Sequence, residues 1–317
     1  MKRLIIIVPC YNEEESFSRT NTVLNDVLLG LVKRKKVSSN SSILYVDDGS
    51  KDGTWSLIQK EYKKNNRVCA IKFASNKGHQ NAVYAGLMYA KDLADVTITI
   101  DADLQDDVNV IEEMVDKYNK GAQVVYGVRN DRTTDSFFKK TSAKLFYEVI
   151  KNNGSKAVAN AADFRLLSSD VLKELFLYNE YHLYLRGIAP ELGYKQECVY
   201  YKRLERTQGV SKYPLKKMIK LAVDGITSCN DSPLFSFYYL SFSTFVVALL
   251  MLVLFFIKQN RTSGFAISYF VYTLIFIILG FVLFGIATLG QYIGRTFMES
   301  KKRPRYYIEQ ILDRRKR

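Results

Sequence analysis

Five short runs rich in aliphatic and β-branched residues alternate with longer segments of mixed polarity over the first 128 residues of the chain. Parallel strands need long crossover connections, and the intervening segments have the length and polarity of helices. The alternation therefore predicts a mostly parallel α/β sheet with helices on both faces. The runs are LIIIVP (4–9), SILYVD (42–47), VCAIKF (68–73), VTITID (96–101) and QVVYGV (123–128).

Each of the first four runs is followed by a polar motif. In chain order the motifs are PCYNEE, DDGSKDGT, NKGHQ and DADLQDD. In open parallel sheets, ligands bind in the crevice beyond the carboxyl ends of the strands. The four motifs therefore predict one shared site at that edge.

The DADLQDD motif places oxygen-bearing side chains at alternate positions. Asp101, Asp103 and Gln105 can face one way if the chain is extended. Hard oxygen ligands on a rigid strand end suit Mg²⁺ or Mn²⁺, although a solvated polar turn explains an isolated triplet equally well. We expect Asp106 and Asp107 to cap the following helix, where anions offset the helix dipole.

The DDGSKDGT motif predicts nucleotide recognition rather than a phosphate cradle. The adjacent acids Asp47 and Asp48 can accept hydrogen bonds from a base N–H and from ribose hydroxyls, and the glycines permit a tight turn near a ligand. The chain has neither a Walker loop nor a GxGxxG fingerprint. Phosphate charge must then be neutralised by the cation at Asp101 and Asp103.

Two long segments, 232–257 and 262–294, contain no charged residue. Each exceeds the roughly 20 residues that a helix needs to cross a bilayer. We therefore predict transmembrane helices near 235–257 and 266–290; two buried core helices are the alternative. The linker 258–261 carries two basic residues and the segment 295–317 carries nine, which predicts a multi-pass cell-membrane protein with a cytoplasmic N-terminal region and both termini cytoplasmic.

The formal net charge of +14 raises the question of a nucleic-acid partner. The basic residues cluster on both sides of the uncharged segments, so membrane lipids with anionic head groups are the expected partner. No zinc knuckle or RNA-binding aromatic motif is present, and we predict no nucleic-acid binding.

These features divide the chain into three parts. A cytoplasmic α/β domain occupies 1–231 and includes amphipathic helices at 137–150 and 213–226, the second of which is expected along the membrane surface. A two-helix transmembrane region follows at 232–294, and 295–317 form a basic cytoplasmic tail.

In order and spacing, VPCYNEEE, DDGSKDGT, NKGHQNAVYAGL and DADLQDD resemble the family-2 inverting glycosyltransferases with the GT-A fold. Three further segments, DFRLLSSDVL (163–172), RTQGVSKY (206–213) and GQYIGRTFMESKKRPRYYI (290–308), narrow the resemblance to the polyprenyl-phosphate glycosyltransferases, a group that includes dolichol-phosphate mannose synthase. The resemblance covers nearly the whole chain. It departs after DLQD, where Asp107 and Val108 replace the family's usual prolines.

The resemblance implies roles for individual residues. Asp101, Asp103 and Gln105 would bind Mg²⁺ or Mn²⁺ that bridges the donor diphosphate. Asp163 would act as base or would position the acceptor, and Asp103 and Arg129 are the other expected catalytic residues. The nucleotide-sugar site would comprise Pro9, Tyr11, Asn12, Glu13, Asp47, Asp48, Lys77, Gly78, His79, Asp101 and Ala102.

A polyprenyl phosphate acceptor brings its own oxygen nucleophile and needs charge neutralisation more than deprotonation. We expect His79 to begin a helix near the diphosphate rather than to act as a general base. For Lys139 and Lys140 a solvated surface position is the alternative. The expected acceptor site comprises Arg129, Arg132, Lys139, Lys140, Arg206, Ser211 and Lys212.

The sequence thus predicts an enzyme that transfers one sugar, with inversion, from UDP-glucose or UDP-N-acetylglucosamine to undecaprenyl phosphate for cell-envelope glycosylation. A processive polysaccharide synthase is one alternative, but it would need more spans and a Q-x-x-R-W motif, and the single tryptophan is Trp55. A non-catalytic membrane scaffold is another. A homo-oligomer, a flippase and a downstream glycosyltransferase are further candidate partners.

Overall fold

The computed structural model describes residues 1–130, 158, 161–178, 180, 185–202 and 264–314. The chain forms two compact units. The first comprises Met1–Leu221 together with Pro304–Arg317, and the second comprises Ala222–Arg303.

The first unit is built on a sheet whose described strands number eight. They are β1 (Leu4–Cys10), β2 (Ser42–Asp47), β3 (Val68–Phe73), β4 (Val96–Thr99), β5 (Val124–Arg129), β6 (Ala161–Ser168), β7 (Gln196–Tyr201) and β8 (Ile308–Leu312). Their order in the sheet is β7-β5-β6-β4-β1-β2-β3-β8. Neighbours are parallel except in the pairs β3–β8, β4–β6 and β5–β6.

Helices cover both faces of this sheet because β1 is apolar at every position. Alternate side chains point to opposite faces. The described α-helices of this unit are α1 (Glu14–Lys33), α2 (Thr54–Lys64), α3 (His79–Ala90), α4 (Ile111–Asn119), α5 (Ser169–Leu175) and α6 (Leu185–Glu191). Leu4, Ile6 and Val8 join a buried cluster with residues of α1, α2 and α4, whereas Ile5 and Ile7 join a second cluster with residues of α3, α5 and α6.

The predicted α/β sheet, mostly parallel with helices on both faces, is confirmed. All five predicted strands are present, although β4 ends at Thr99, two residues earlier than predicted. The sequence reading missed β6, β7 and β8. Strand β6 is inserted antiparallel between β4 and β5, so it brings its first residues to the edge where the parallel strands end.

Strand β8 lies within the segment that the sequence assigned to a basic tail. It pairs antiparallel with β3 and covers what would otherwise be a free edge of the sheet. The Tyr306 ring stacks on Phe73 with 4.8 Å between centroids, and the Tyr89 hydroxyl donates to Asp313 at 2.7 Å. These contacts explain why the segment folds back onto the first unit.

In the second unit the structure describes one helix, α7 (Gly264–Ser300), which contains the second predicted span at 266–290. Within the described part of the chain, no helix meets the combined requirements of length and apolarity for crossing a membrane. The first predicted span and the predicted amphipathic helices at 137–150 and 213–226 lie outside the described residues.

Candidate active site

The strand registers bring the polar motifs to one edge of the sheet. Cys10 at the end of β1 lies opposite Asp47 at the end of β2, and Asp47 lies opposite Lys72 of β3. Thr99 at the end of β4 lies opposite Ile7 of β1. The loops that follow these four strands therefore meet, as the sequence predicted.

The loop after β1 is hydrogen-bonded to the loop after β2. The Asn12 amide donates to the Ser50 hydroxyl at 3.0 Å, and the Asn12 side-chain oxygen accepts from the Lys51 amide at 2.9 Å. The Glu13 amide donates to the Thr54 hydroxyl at 2.8 Å. Asn12 has φ of 53°, a left-handed conformation that asparagine tolerates better than most residues. The two motifs thus form one rigid wall.

Asp47 is fully buried in this wall and is only half satisfied. Its Oδ1 accepts from the amide and hydroxyl of Ser50, whereas Oδ2 has no hydrogen-bond partner among the described residues. Burial raises the pKa of Asp47, although the Ser50 hydrogen bonds and Lys72 oppose the shift. A buried acceptor without a donor is costly, and a ligand N–H could satisfy Asp47 Oδ2 only after the atoms that cover it have moved.

Asp48 holds the loop after β3. Its two oxygens accept from the backbone amides of Lys77 at 2.6 Å and Gly78 at 2.8 Å. Gly49 adopts φ of +67°, and a Cβ there would lie 2.6 Å from the Ser75 carbonyl carbon, so the loops touch backbone to backbone. Each carboxylate oxygen of Asp48 retains a second lone pair that can accept from a ribose hydroxyl. Ribose binding by Asp48 stays a prediction.

The segment after β4 is a turn rather than an extended strand end. Leu104 has φ of 50°, and the Asp103 Oδ1 accepts from the Gln105 amide at 3.2 Å. The Thr20 hydroxyl of α1 donates to the Ala102 carbonyl at 2.7 Å and fixes the turn. The expected extended geometry of Asp101, Asp103 and Gln105 is therefore wrong, because β4 has already ended, while their metal-binding role stays a prediction.

His79 lies between two carboxylates. It is the first residue of α3, as predicted, and its Nε2 is 3.6 Å from Asp101 Oδ1 and 3.5 Å from Asp163 Oδ2. Asp163 comes from β6 and also accepts from Arg165 Nη2 at 2.6 Å. Arg165 is buried and donates through Nη1 to the Leu185 carbonyl at 2.8 Å. A bonded arginine thus sets the orientation of Asp163.

Negative charge accumulates around Asp101. Burial raises its pKa to about 6; His79 opposes the shift, whereas the charges of Asp106, Asp163 and Asp103 add to it. Within the described residues, no group of three or more His, Cys, Asp or Glu side chains forms a metal cage. The crowded carboxylates nevertheless fit Mg²⁺ or Mn²⁺, which usually bind one or two carboxylates and complete their shell with water and substrate phosphate.

Asp106 does not cap the following helix, contrary to expectation. It is buried, and its Oδ1 accepts from Arg129 Nε at 3.1 Å, Arg129 Nη2 at 2.8 Å and the Tyr201 hydroxyl at 2.6 Å. Asp107 alone takes the capping role and accepts from the Asn109 amide at 3.0 Å. Burial and then Asp106 raise the pKa of Tyr201, which keeps its hydroxyl a donor.

Comparison with known proteins identifies the family. A sequence profile described as glycosyl transferase family 2 matches residues 5–176. The chain belongs to glycosyl transferase family 2. It is 45% identical over 96% of its length, and 91% of the relative's, to a Bacillus subtilis protein named uncharacterized glycosyltransferase YkoT.

Two further relatives carry more specific names. The chain is 34% identical to an Escherichia coli K12 protein named prophage bactoprenol glucosyl transferase homolog, over 98% of this chain and 99% of that one. It is also 34% identical to the bactoprenol glucosyl transferase of Shigella phage SfV, over 97% and 98% of the two chains. The predicted GT-A-like fold and the predicted enzyme class, a glycosyltransferase, are both confirmed.

The described part of this family-2 glycosyltransferase contains all the predicted donor and metal residues, and the three expected catalytic residues, Asp103, Asp163 and Arg129, lie at the same edge of the sheet. Arg129 is present at the end of β5 but is paired with Asp106. Six predicted acceptor residues lie outside the described residues, namely Arg132, Lys139, Lys140, Arg206, Ser211 and Lys212.

Sequence reasoning missed three positions in the glycosyltransferase site: Thr20, Arg165 and Tyr201. The sequence could have indicated Arg165, because it lies two residues after Asp163 and alternate residues of a strand share a face. No sequence pattern indicated Tyr201, since it is 95 residues from its partner Asp106.

Proposed function

We propose that this glycosyltransferase moves one sugar, with glucose the first candidate, from a uridine diphosphate donor to polyprenyl phosphate with inversion. One observation carries the proposal. The family-2 profile ends at residue 176, yet the relatives named bactoprenol glucosyl transferase match 97% or more of the chain. The likeness therefore extends through the region outside the donor motifs, where acceptor choice would reside.

The donor would bind against the loops that follow β1, β2 and β3. Asp47 Oδ2, buried and lacking a described partner, would accept an N–H of the base once the base has displaced the atoms that cover it. Pro9, Tyr11, Asn12 and Glu13 of the neighbouring loop would line the base pocket. Asp48 would act on the ribose in addition to fixing Lys77 and Gly78.

The diphosphate would lie toward Asp101 and Asp103. These carboxylates, with Gln105, would hold Mg²⁺ or Mn²⁺, which when bound neutralises charge on the departing nucleoside diphosphate. His79 at the start of α3 would face the same charge. The Asp101 pKa of about 6 supports this placement, because it reflects burial and an excess of neighbouring carboxylates.

The acceptor phosphate oxygen would attack the anomeric carbon from the side opposite the leaving diphosphate, so the anomeric configuration inverts. The new bond joins sugar to lipid phosphate, and the bond to the nucleoside diphosphate breaks. Asp163, oriented by Arg165, would position the acceptor or accept its remaining proton. Arg129, with the basic residues outside the described part, would neutralise the incoming anion.

A polyprenyl acceptor lies in a bilayer. We propose accordingly that 235–257 and 266–290 cross the cell membrane, with the catalytic unit and both termini cytoplasmic. The support is the two uncharged runs and the nine basic residues of 295–317. Binding of membrane lipids, a homo-oligomer, and association with a flippase or a downstream glycosyltransferase are part of the same proposal.

The test is sugar transfer by the purified full chain in detergent. Undecaprenyl phosphate, Mn²⁺ and labelled UDP-glucose or UDP-N-acetylglucosamine are supplied in parallel, and the lipid product is analysed by mass spectrometry. We expect one sugar per lipid. Asp101→Asn should lower kcat by roughly 10²–10³-fold, as loss of transition-state charge stabilisation does elsewhere.

The matched control is Asp107→Asn, the same substitution at a capping residue of the same motif, which should stay active. Absence of transfer from either donor would contradict the proposal. A ladder of products with several sugars would indicate a processive synthase. Complementation of a deletion strain by an Asp101→Asn/Asp103→Asn variant would indicate a scaffold.

A further inference from the structure

A buried network joins the loop after β4 to the ends of two other strands. Asp106 and Tyr201 are 2% and 3% exposed, whereas the Arg129 side chain is 26% exposed. Arg129 and Tyr201 are register partners on the parallel strands β5 and β7, so their side chains start from adjacent positions on one face. All three hydrogen bonds of the network end on one atom, Asp106 Oδ1.

The geometry divides the guanidinium group of Arg129 into two parts. Nε and one hydrogen of Nη2 serve Asp106. A guanidinium carries five N–H donors in a fixed plane, so fixing the Nε side also fixes the direction of the others. Arg129 is the most exposed member of the network, and it ends β5 at the edge where the donor motifs meet.

Tyr201 contributes a constraint that a simple ion pair would lack. Its hydroxyl donates to the same oxygen that Arg129 uses, so the carboxylate cannot rotate without losing a third bond. The fold does not impose such bonding on every buried tyrosine here. Tyr126 of β5 is 2% exposed, and its hydroxyl has no hydrogen-bond partner among the described residues.

We propose that Asp106 and Tyr201 are positioning residues that hold Arg129 with its outer N–H groups directed at the acceptor phosphate. The assignment rests on the proposed function, because it needs a phosphate acceptor. When the Arg129 guanidinium is already oriented, binding of the acceptor phosphate does not cost the conformational entropy of ordering it. This gain in affinity applies to the acceptor lipid and not to the nucleotide sugar.

The experiment compares Tyr201→Phe with Tyr126→Phe in the full chain. Both remove one buried tyrosine hydroxyl, but only the first breaks the network. We expect Tyr201→Phe to raise the KM for undecaprenyl phosphate by roughly 5–10-fold, the effect of losing one hydrogen bond of ordinary strength. The KM for the nucleotide sugar and the melting temperature should stay close to wild type, and Tyr126→Phe should change neither KM.

A double-mutant cycle with Arg129→Lys separates positioning from simple support of the fold. Lysine keeps the charge but lacks the planar fork, so the effect of Tyr201→Phe on the acceptor KM should largely disappear in that background. Asp106→Asn should reproduce the rise in acceptor KM; if it fails to fold, the cycle with Tyr201→Phe still decides.

The outcomes separate the two proposals. A wild-type protein that transfers no sugar to the lipid overturns the proposed function and this assignment with it. Normal wild-type transfer, with an unmoved acceptor KM in Tyr201→Phe or with both KM values raised alike, overturns the positioning role alone.

Discussion

The two halves of the site edge are built differently. The half proposed to bind the donor, or donor half, consists of the loops after β1, β2 and β3, which bond to one another through motif residues such as Asn12 and Asp48. In the half proposed to bind the acceptor, or acceptor half, Asp106 accepts hydrogen bonds from Arg129 and Tyr201 on β5 and β7. The donor half is thus fixed by short polar motifs at successive strand ends, whereas the acceptor half is fixed by the order of strands in the sheet.

The difference decides which substitutions inform about function. A residue of the donor half contacts a loop that other hydrogen bonds also hold, so those bonds keep the loop in place when one contact is removed. Among the described residues, one cation, Arg129, pairs with the buried carboxylate of Asp106 in the acceptor half. Substitutions there change stability and activity together unless they preserve the charge balance.

The largest effect on stability should come from Arg129→Met, which leaves Asp106 buried without its cation. Removing one partner of a buried ion pair strands a charge, and we expect the free energy of unfolding to fall by about 3 kcal/mol. Urea denaturation measures it. Adding Asp106→Asn should recover a large part of the loss, and a single variant within 1 kcal/mol of wild type, well below the range for such pairs, would contradict the described balance.

In the donor half, Gly49→Ala should cost about 2 kcal/mol, because a left-handed residue and a backbone contact add together. Gly193→Ala is the matched control. Gly193 has a similar φ of +74°, and nothing lies within 4 Å of the Cβ that alanine would add. The difference between the two variants, measured by thermal unfolding, isolates the contact with Ser75. Equal losses would show that the loops can separate without cost.

The sequence predicted which strand-end loops meet in the donor half but not the partners of Asp106 in the acceptor half, for a physical reason. Parallel strands bring successive carboxyl ends to one edge, so motifs after β1 to β4 had to meet. Whether Asp106 would cap a helix or pair with Arg129 depended on where β7 lay, and no local pattern encodes that. The same limit concealed β6, which enters antiparallel, and β8, which lies beyond the second unit in the chain.

Asp101 at the boundary of the halves should make stability depend on pH when no divalent ion is present. Its folded pKa of about 6 exceeds the unfolded value near 3.9, so between these values the folded state binds more protons and stability falls as pH rises. Asp101→Asn should be more stable than wild type above pH 6 by about 1–2 kcal/mol, after discounting for its 37% exposed side chain.

Well below the unfolded pKa of about 3.9, the Asp101→Asn variant and wild type should be equally stable, since the carboxyl is then protonated in both states. Chemical denaturation at a series of pH values gives the curve. Adding Mn²⁺ should remove the variant's advantage at pH 7 if the ion binds the ionised wild type. An advantage that is constant across pH would assign the effect to packing instead of charge.

The smallest effect should come from Tyr306→Leu at the outer border of the donor half, and it tests whether β8 does more than cover an edge. Leucine retains apolar cover but loses the stacked pair with Phe73, for which we expect under about 1 kcal/mol. The hydrogen bond from the Ala74 amide to the Tyr307 carbonyl, 3.0 Å long, uses backbone and should persist. Because Ala74 begins the loop that carries Lys77 and leads to His79 at the start of α3, the nucleotide-sugar KM is measured beside stability. A KM equal to wild type assigns β8 to edge cover, whereas a raised KM at nearly unchanged stability would extend the donor half to the end of the chain.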